Sequence, residues 1–427
     1  MDDDLIDDDR LPLARKSRLP GTGFFYPDSL DDERAERRVR EAVEGADAVV
    51  VADTDADGLG CAALIREARD ASVAAADFEA SMAARLAGGD DDTDDRQASA
   101  SAADAAPGES PVALVGAGPY SLDRALERVA EHLDPGAEVF VCDLCPDAYD
   151  PIGEALEAVA DRAGTVRWFD HHQWDGAVAD DVRAAGVDLV VGASDEECST
   201  DVALRSLDAA FPDRLHDLAA VTRDHDLWIK ADERSDDLAD YAAWTDPEEY
   251  VAVVAEYGPD LPPDAMAYVA ERRAEKERLI DRAVGRATTH EVGPWTVATT
   301  YGRCSQNEVA ERLREAGADA AVVVKPAGSA SLRGSEAFER CHEVAALVEG
   351  GGHPKAAGCK PDIYDDMLDY ARHWTTEGEA ARRVILAAFE RVAERAEGGG
   401  TAAGGDGASD GPDAGNADGD GTADGDG

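Results

Sequence analysis

Short continuous apolar runs, spaced by amphipathic stretches, set the rhythm of this chain. The first, Ala46-Asp47-Ala48-Val49-Val50-Val51-Ala52, ends in acid and glycine, the pattern of a parallel strand buried on both faces. The same pattern returns at 112–115, 138–142, 166–169 and 187–191. Between the runs, periodic apolar positions predict helices over 59–69, 122–133, 151–162, 200–210 and 214–222, with an arginine-rich helix over 31–45 ahead of them. Strand alternating with helix predicts an α/β fold, a mostly parallel sheet with helices on both faces, over residues 46–262.

Near residue 262 the rhythm changes. A long charged helix over 265–286 reads as a connector spanning 263–288. Strands at 295–299, 320–324 and 330–333, a helix at 307–316 and a terminal helix from 364 to about 394 then make a smaller α/β domain over 289–394. Three segments fit no element. Residues 1–30, at the front of an N-terminal arm and helix over 1–45, are polar and proline-interrupted. A run over 88–111 rich in Asp, Ala, Ser and Gly reads as a disordered insertion, and the Gly-Asp-Ala tail at 395–427 is too poor in apolar residues to fold.

Charge alters the expected surroundings more than the fold. The 427 residues carry 93 acidic against 41 basic side chains, a formal charge of -52, and lysine is confined to Lys16, Lys230, Lys276, Lys325, Lys355 and Lys360. Acid spread over the whole chain fits a surface adapted to very high salt. There the Debye length falls to about 3 Å, so binding to a polyanion must rest on local arginines, metal and stacking. Seven widely spaced cysteines, odd in number, argue against a disulfide framework, and the lone pair Cys142 and Cys145 lacks the partner pair of a zinc site. The N-terminus has no secretory pattern, and no apolar run approaches the ~18 residues of a membrane span. A soluble cytoplasmic protein without membrane contact is expected.

Chemistry-bearing residues collect at the ends of the predicted strands. Asp53-Thr54-Asp55-Ala56-Asp57-Gly58 follows the first, where alternate carboxylates can place Asp55 and Asp57 on one hard cation. A calcium loop is the other reading of that string, but Leu64 stands where its glutamate belongs. Asp143 follows the 138–142 strand and could bridge two metals. Asp170-His171-His172 ends the next run, where adjacent imidazoles can diverge, one to a metal and the other to a second metal or a substrate phosphate. Arg223-Asp224-His225-Asp226 closes a predicted helix, an end that disfavours carboxylates unless a cation compensates. Ligands of open parallel sheets sit at the carboxyl ends of strands. Carboxylate and imidazole without sulfur favour manganese or magnesium, with cobalt as a substitute. Two such ions about 3.5–4 Å apart would clamp the oxygens of a phosphoryl displacement and activate a water without a protein nucleophile. Neither a G-x-S-x-G elbow nor a P-loop is present.

The smaller domain carries Gly350-Gly351-Gly352-His353-Pro354-Lys355-Ala356-Ala357-Gly358, where glycine backbone at 351 and 352 could approach a phosphate and His353 and Lys355 add donors. Ser331 and Arg333 upstream offer a hydroxyl and a bidentate guanidinium. Paired with a metal site on the first domain, these read as the jaw that grips substrate.

The order Asp-x-Asp-Ala-Asp-Gly, Asp143, Asp170-His171-His172, Asp224 and the Gly-Gly-Gly-His-Pro-Lys run resembles the DHH phosphoesterase superfamily over roughly residues 46–392. That group includes RecJ exonucleases, oligoribonucleases, pAp phosphatases and cyclic di-AMP phosphodiesterases. The resemblance implies a two-manganese hydrolase with Asp55, Asp57, Asp143, His171 and Asp224 as ligands. His172 would face metal or scissile phosphate beside Asp170, and Arg333 and His353 would bind substrate phosphate. Where many relatives carry a histidine two or four residues before the first metal aspartate, this chain has Asp53 and Val51, and Asp53 is the candidate replacement. The chain further resembles archaeal RecJ-like proteins, which implies exonuclease action on single-stranded DNA or RNA, with the GINS replication complex as a candidate partner. Asp-His-Asp-Leu-Trp instead resembles short-oligonucleotide hydrolases, for which Trp168, Trp174 and Trp228 are candidate stacking residues. A non-catalytic replication scaffold on the same fold is the third reading, disfavoured because nearly all metal positions are filled.

Overall fold

The computed structural model describes residues 28–87, 110–119, 121–364 and 367–399, which form two compact units divided after Arg282. The expected N-terminal arm, the disordered insertion and the acidic tail lie almost wholly outside the described residues.

In the first unit, β1 (Ala48–Ala52), β2 (Val112–Gly116), β3 (Glu138–Cys142), β4 (Thr165–Asp170) and β5 (Asp188–Val191) form one parallel sheet in the order β2-β1-β3-β4-β5. All five residues of β1 are buried, and its side chains divide by parity. Ala48, Val50 and Ala52 join one apolar core with Phe140 and Phe169, whereas Val49 and Val51 join the other with Val139, Val141 and Trp168. That two-sided burial is why the strands read as continuous apolar runs rather than alternating ones.

The chain enters at β1 and steps to β2 on one side and β3 on the other, which places the topological switch between β1 and β3. Helices Ala56–Ala68, Ser199–Ser206 and Asp213–Asp226 pack against one another on one face. Two further helices, Arg234–Trp244 and Pro247–Tyr257, neither of them among the expected elements, add Tyr241 and Tyr250 to that core. Arg66, 1% exposed, is tied there to both carboxylate oxygens of Glu248 and to the Val112 carbonyl.

The second unit holds a six-stranded mixed sheet in the order β10-β11-β9-β8-β7-β6, with β6 (Thr288–Val292), β7 (Trp295–Tyr301), β8 (Ala320–Val324), β9 (Ala330–Gly334), β10 (Gly350–Gly352) and β11 (Ala356–Cys359). Only β7 and β8 run parallel. Phe338, Phe389, Ile385 and Val322 centre its core. Two differences from expectation stand out. The glycine run, to which no strand was assigned, is the edge hairpin β10–β11. The terminal helix is two helices, Met367–Thr375 and Glu379–Gly399, broken where Glu377 and Gly378 both adopt positive φ.

Candidate metal centre

The β1 exit is built around carboxylates that serve the backbone. Asp55 caps the helix Ala56–Ala68, its Oδ1 accepting from the N–H groups of Asp57 at 2.9 Å and Gly58 at 3.1 Å. Residue 58 must be glycine, because a Cβ there would stand 2.3 Å from the Asp53 carbonyl oxygen. Asp57, 2% exposed, accepts from the N–H groups of Ser199 at 2.7 Å and Thr200 at 2.8 Å, one on each carboxylate oxygen. It therefore sits on the positive end of the helix Ser199–Ser206, which stabilises its charge. Asp53 is half-buried and turns its Oδ1 to the Thr54 N–H; burial and the neighbouring Asp55 raise its pKa.

Asp143 follows β3 with a φ of 58°, a conformation that aspartate adopts more readily than most residues. It is 5% exposed, and its Oδ1 accepts from the Ser199 hydroxyl at 2.9 Å. Burial, with Asp57, Asp55 and Asp170 around it, pushes its pKa well above the ordinary carboxylate range.

At the end of β4, Asp170 is fully buried and occupied by its own chain. Its Oδ1 accepts from the backbone N–H of His171 at 2.7 Å and of His172 at 3.2 Å, and pairs with the ring Nδ1 of His172 at 2.7 Å. Its Oδ2 accepts from the Trp174 indole at 2.8 Å. Trp174 in turn meets Trp168 edge-on, and Trp168 is wholly buried with its indole on the Leu144 carbonyl. Asp170 thus orients the histidines, and His172, which is exposed, keeps Nε2 for another partner. Its hydrogen bond to Asp170 raises the His172 pKa against the opposing effect of burial.

His171 differs from all of these. It is 7% exposed, and neither ring nitrogen has a hydrogen-bond partner. Nε2 lies 3.2 Å from Asp226 Oδ2, 3.8 Å from Asp143 Oδ1 and 4.0 Å from Asp57 Oδ2. Asp226 Oδ2 is likewise buried without a partner. Burial and the nearby Asp57 push the Asp226 pKa up to about 6, against the opposing effect of His171. Each orphaned buried polar atom costs about 1–3 kcal/mol. Several aimed together suit a cation, and Asp57–His171–Asp226 and Asp143–His171–His172 each have ligand-spaced atoms. The donor set is oxygen and nitrogen, which fits manganese or magnesium. Cys61 and Cys198 are buried beside it, but burial pushes both thiols far above the range in which they would ionise and ligate.

Asp224, the expected ligand, is turned elsewhere. Its carboxylate accepts from the N–H groups of Ala231 at 2.9 Å and Asp232 at 3.1 Å, and its carbonyl from those of Ile229 at 2.9 Å and Lys230 at 3.2 Å. Burial would raise its pKa, but the Ala231 and Asp232 N–H groups outweigh that and hold it below the ordinary range. Two positions along a helix rotate a side chain by about 200°, so Asp226 and Asp224 face different surroundings. The sequence string carries both acids, and nothing in it favours the second. Ser199, which joins Asp143, is equally silent in the sequence, because no motif marks a lone serine at a helix start.

In the second unit, β11 lies between β9 and β10, so Ser331, Gly358 and Gly351 stand side by side across three strands. Ser331 donates to Gln306 Oε1, and Arg333 donates to Asn307 Oδ1 at 3.0 Å and to the Leu332 carbonyl at 2.9 Å. Gly351, Gly352 and His353 are exposed. Lys355 is paired with Glu336 and Glu339, which compete with any phosphate for its charge.

The seven cysteines are free, and among the described residues no helix is long and apolar enough to cross a membrane. No family model matches the chain, and no curated protein matches it. Three solved structures show what it is similar to. The DHH domain of a member of a ribosomal-protein family has 12% identity and a TM-score of 0.44, over 89% of this chain and 95% of that one. RecJ from Thermus thermophilus, in complex with Mn2+, has 17% identity and a TM-score of 0.39, over 84% of this chain and 54% of that one. The pGpG-specific phosphodiesterase PggH from Vibrio cholerae has 10% identity and a TM-score of 0.38, over 79% of this chain and 98% of that one.

Proposed function

We propose that this chain is a metal-dependent phosphodiesterase of the DHH superfamily that holds two divalent ions, manganese foremost, and cleaves single-stranded nucleic acid as a RecJ-like exonuclease. The observation that carries the reading is His171, a buried imidazole without a hydrogen-bond partner among Asp57, Asp143 and Asp226. Those residues would hold the metal. When bound, divalent ions polarise phosphate oxygens and lower the pKa of an attacking water. The chain's own residues do the rest. Asp170 fixes the tautomer and orientation of His172, whose raised pKa favours the protonated imidazole that can donate to a phosphate oxygen. Ser199 and the helix Ser199–Ser206 hold Asp143 and Asp57 in place before any substrate arrives. On the second unit, Arg333 and His353 are the proposed substrate-phosphate contacts.

The test is hydrolysis of 5′- and 3′-labelled DNA and RNA of graded length, with manganese at molar salt. Cleavage of 20-mers at least as fast as dinucleotides supports the exonuclease reading. Faster cleavage of dinucleotides would move the assignment to the oligonucleotide hydrolases, and no metal-dependent cleavage of any length would overturn it.

A further inference from the structure

We infer that the turn following Asp226 is a platform on which a nucleobase of the substrate stacks, with the Trp228 indole as its surface; this rests on the phosphodiesterase reading above and narrows its substrate to nucleotide-bearing esters. Trp228 and Ile229 are 74% and 55% exposed, and no apolar core claims them. Trp228 and Lys230 both take left-handed backbone, with φ of 56° and 57°. For a bulky side chain that is a true outlier, and such strain persists only where the surroundings impose it.

Here Asp224 imposes it. Its carbonyl and carboxylate together accept from four successive N–H groups, those of residues 229 to 232, so the turn is pinned to the end of the helix Asp213–Asp226. The indole is pinned as well. Lys230 Nζ stands 4.3 Å from its ring centroid, and the His225 ring meets it edge-on at 6.2 Å. Lys230 is itself tied to Asp236 and His225. With one face on the ammonium and most of the residue in solvent, the other face is open and rigid.

The position gives this surface its use. Trp228 lies two residues beyond Asp226, whose Oδ2 is 3.2 Å from His171 Nε2, and a nucleobase sits one sugar away from its own phosphate. Stacking tolerates any base and does not depend on charge. That suits a chain of net charge -52, which offers a polyanion no long-range attraction.

Two measurements test the platform on the full chain. The first is fluorescence of a 2-aminopurine-containing dinucleotide, which is quenched on stacking whether or not it is cleaved. Quenching is expected with the wild-type chain and Trp228→Phe, and is expected to vanish with Trp228→Ala. The second is the KM preference for a dinucleotide over the same molecule carrying an abasic residue. Trp228→Ala should reduce that preference on the order of 10- to 100-fold, with Trp228→Phe restoring most of it. Equal quenching by wild type and Trp228→Ala, or an unchanged preference, overturns the platform and leaves Trp228 as a contact for a protein partner. Equal loss on both substrates overturns it in favour of a structural role. Failure of the phosphodiesterase reading is seen separately, as the absence of metal-dependent hydrolysis by the wild-type chain, which leaves the quenching measurement readable.

Discussion

The carboxylate cluster of the first unit and the glycine hairpin of the second both present as ligand sites in the sequence, yet they are made in opposite ways. The cluster is buried and preassembled, and its central imidazole has nothing to bond. The hairpin is exposed, and its cationic side chain Lys355 already has acidic partners. A buried group left without a partner costs free energy until a ligand supplies one. An exposed edge bears no such cost, because water serves it. The first region therefore points to a cation by itself, whereas the second acquires meaning only through a substrate.

Substitutions should separate the two regions by size of effect. His171→Ala is expected to lower metal-dependent hydrolysis by about 10³-fold, the loss of several kcal/mol of charge stabilisation; steady-state rates across a manganese series would show it. Asp226→Asn should weaken metal binding on the order of 10- to 100-fold, whereas Asp224→Asn should raise KM and leave metal affinity intact. Calorimetry on the two variants distinguishes a ligand from the anchor of the Trp228 turn. Asp170→Asn is expected to cost about 10- to 100-fold in turnover, because it frees His172 from its held tautomer. It should also move the alkaline limb of the pH–rate profile to lower pH, since the carboxylate that raises the His172 pKa is gone. Arg333→Ala and His353→Ala on the hairpin side should raise KM roughly tenfold, with metal affinity unaffected.

The smallest effect is one of pH. Asp143 and Asp226 have raised pKa values in the folded chain, that of Asp226 about 6. Between the ordinary aspartate value of about 3.9 and that range, the folded state keeps protons which the unfolded chain has released. Metal-free stability from these groups is therefore full below that window and lost as pH rises through it. A bound cation compensates the ionised carboxylates, so manganese should raise the melting temperature by a few degrees more at pH 8 than at pH 5. Equal gains at both values would argue that the cation binds outside this cluster.

Much of the fold was legible because the parallel strands are buried on both sides and so appear as unbroken apolar runs, as in Val49-Val50-Val51. The helix Arg234–Trp244 was not, since it buries one stripe and carries acids on the rest, and Pro247–Tyr257 was not, since its apolar run is buried from Tyr250 to Ala255 and shows no helical period. At the site, Asp57, Asp143, Asp170, His171 and His172 are brought together by the ends of β1, β3 and β4 and the helix that follows β1. Asp55 stands among them as a helix cap. Choosing between Asp224 and Asp226 required the rotation of a helix end and the path of the turn after it, which no local pattern records. The hairpin at Gly350–Gly352 escaped for a related reason: glycine has the same one-letter signature in a phosphate loop and in an edge strand.

The most direct test is a calorimetric titration of manganese into the metal-free wild-type chain and into His171→Ala at pH 8. Saturable binding to the wild type that is lost or weakened at least tenfold in the variant is the expected result. Equal binding to both would contradict the assignment of this buried cluster as the metal centre.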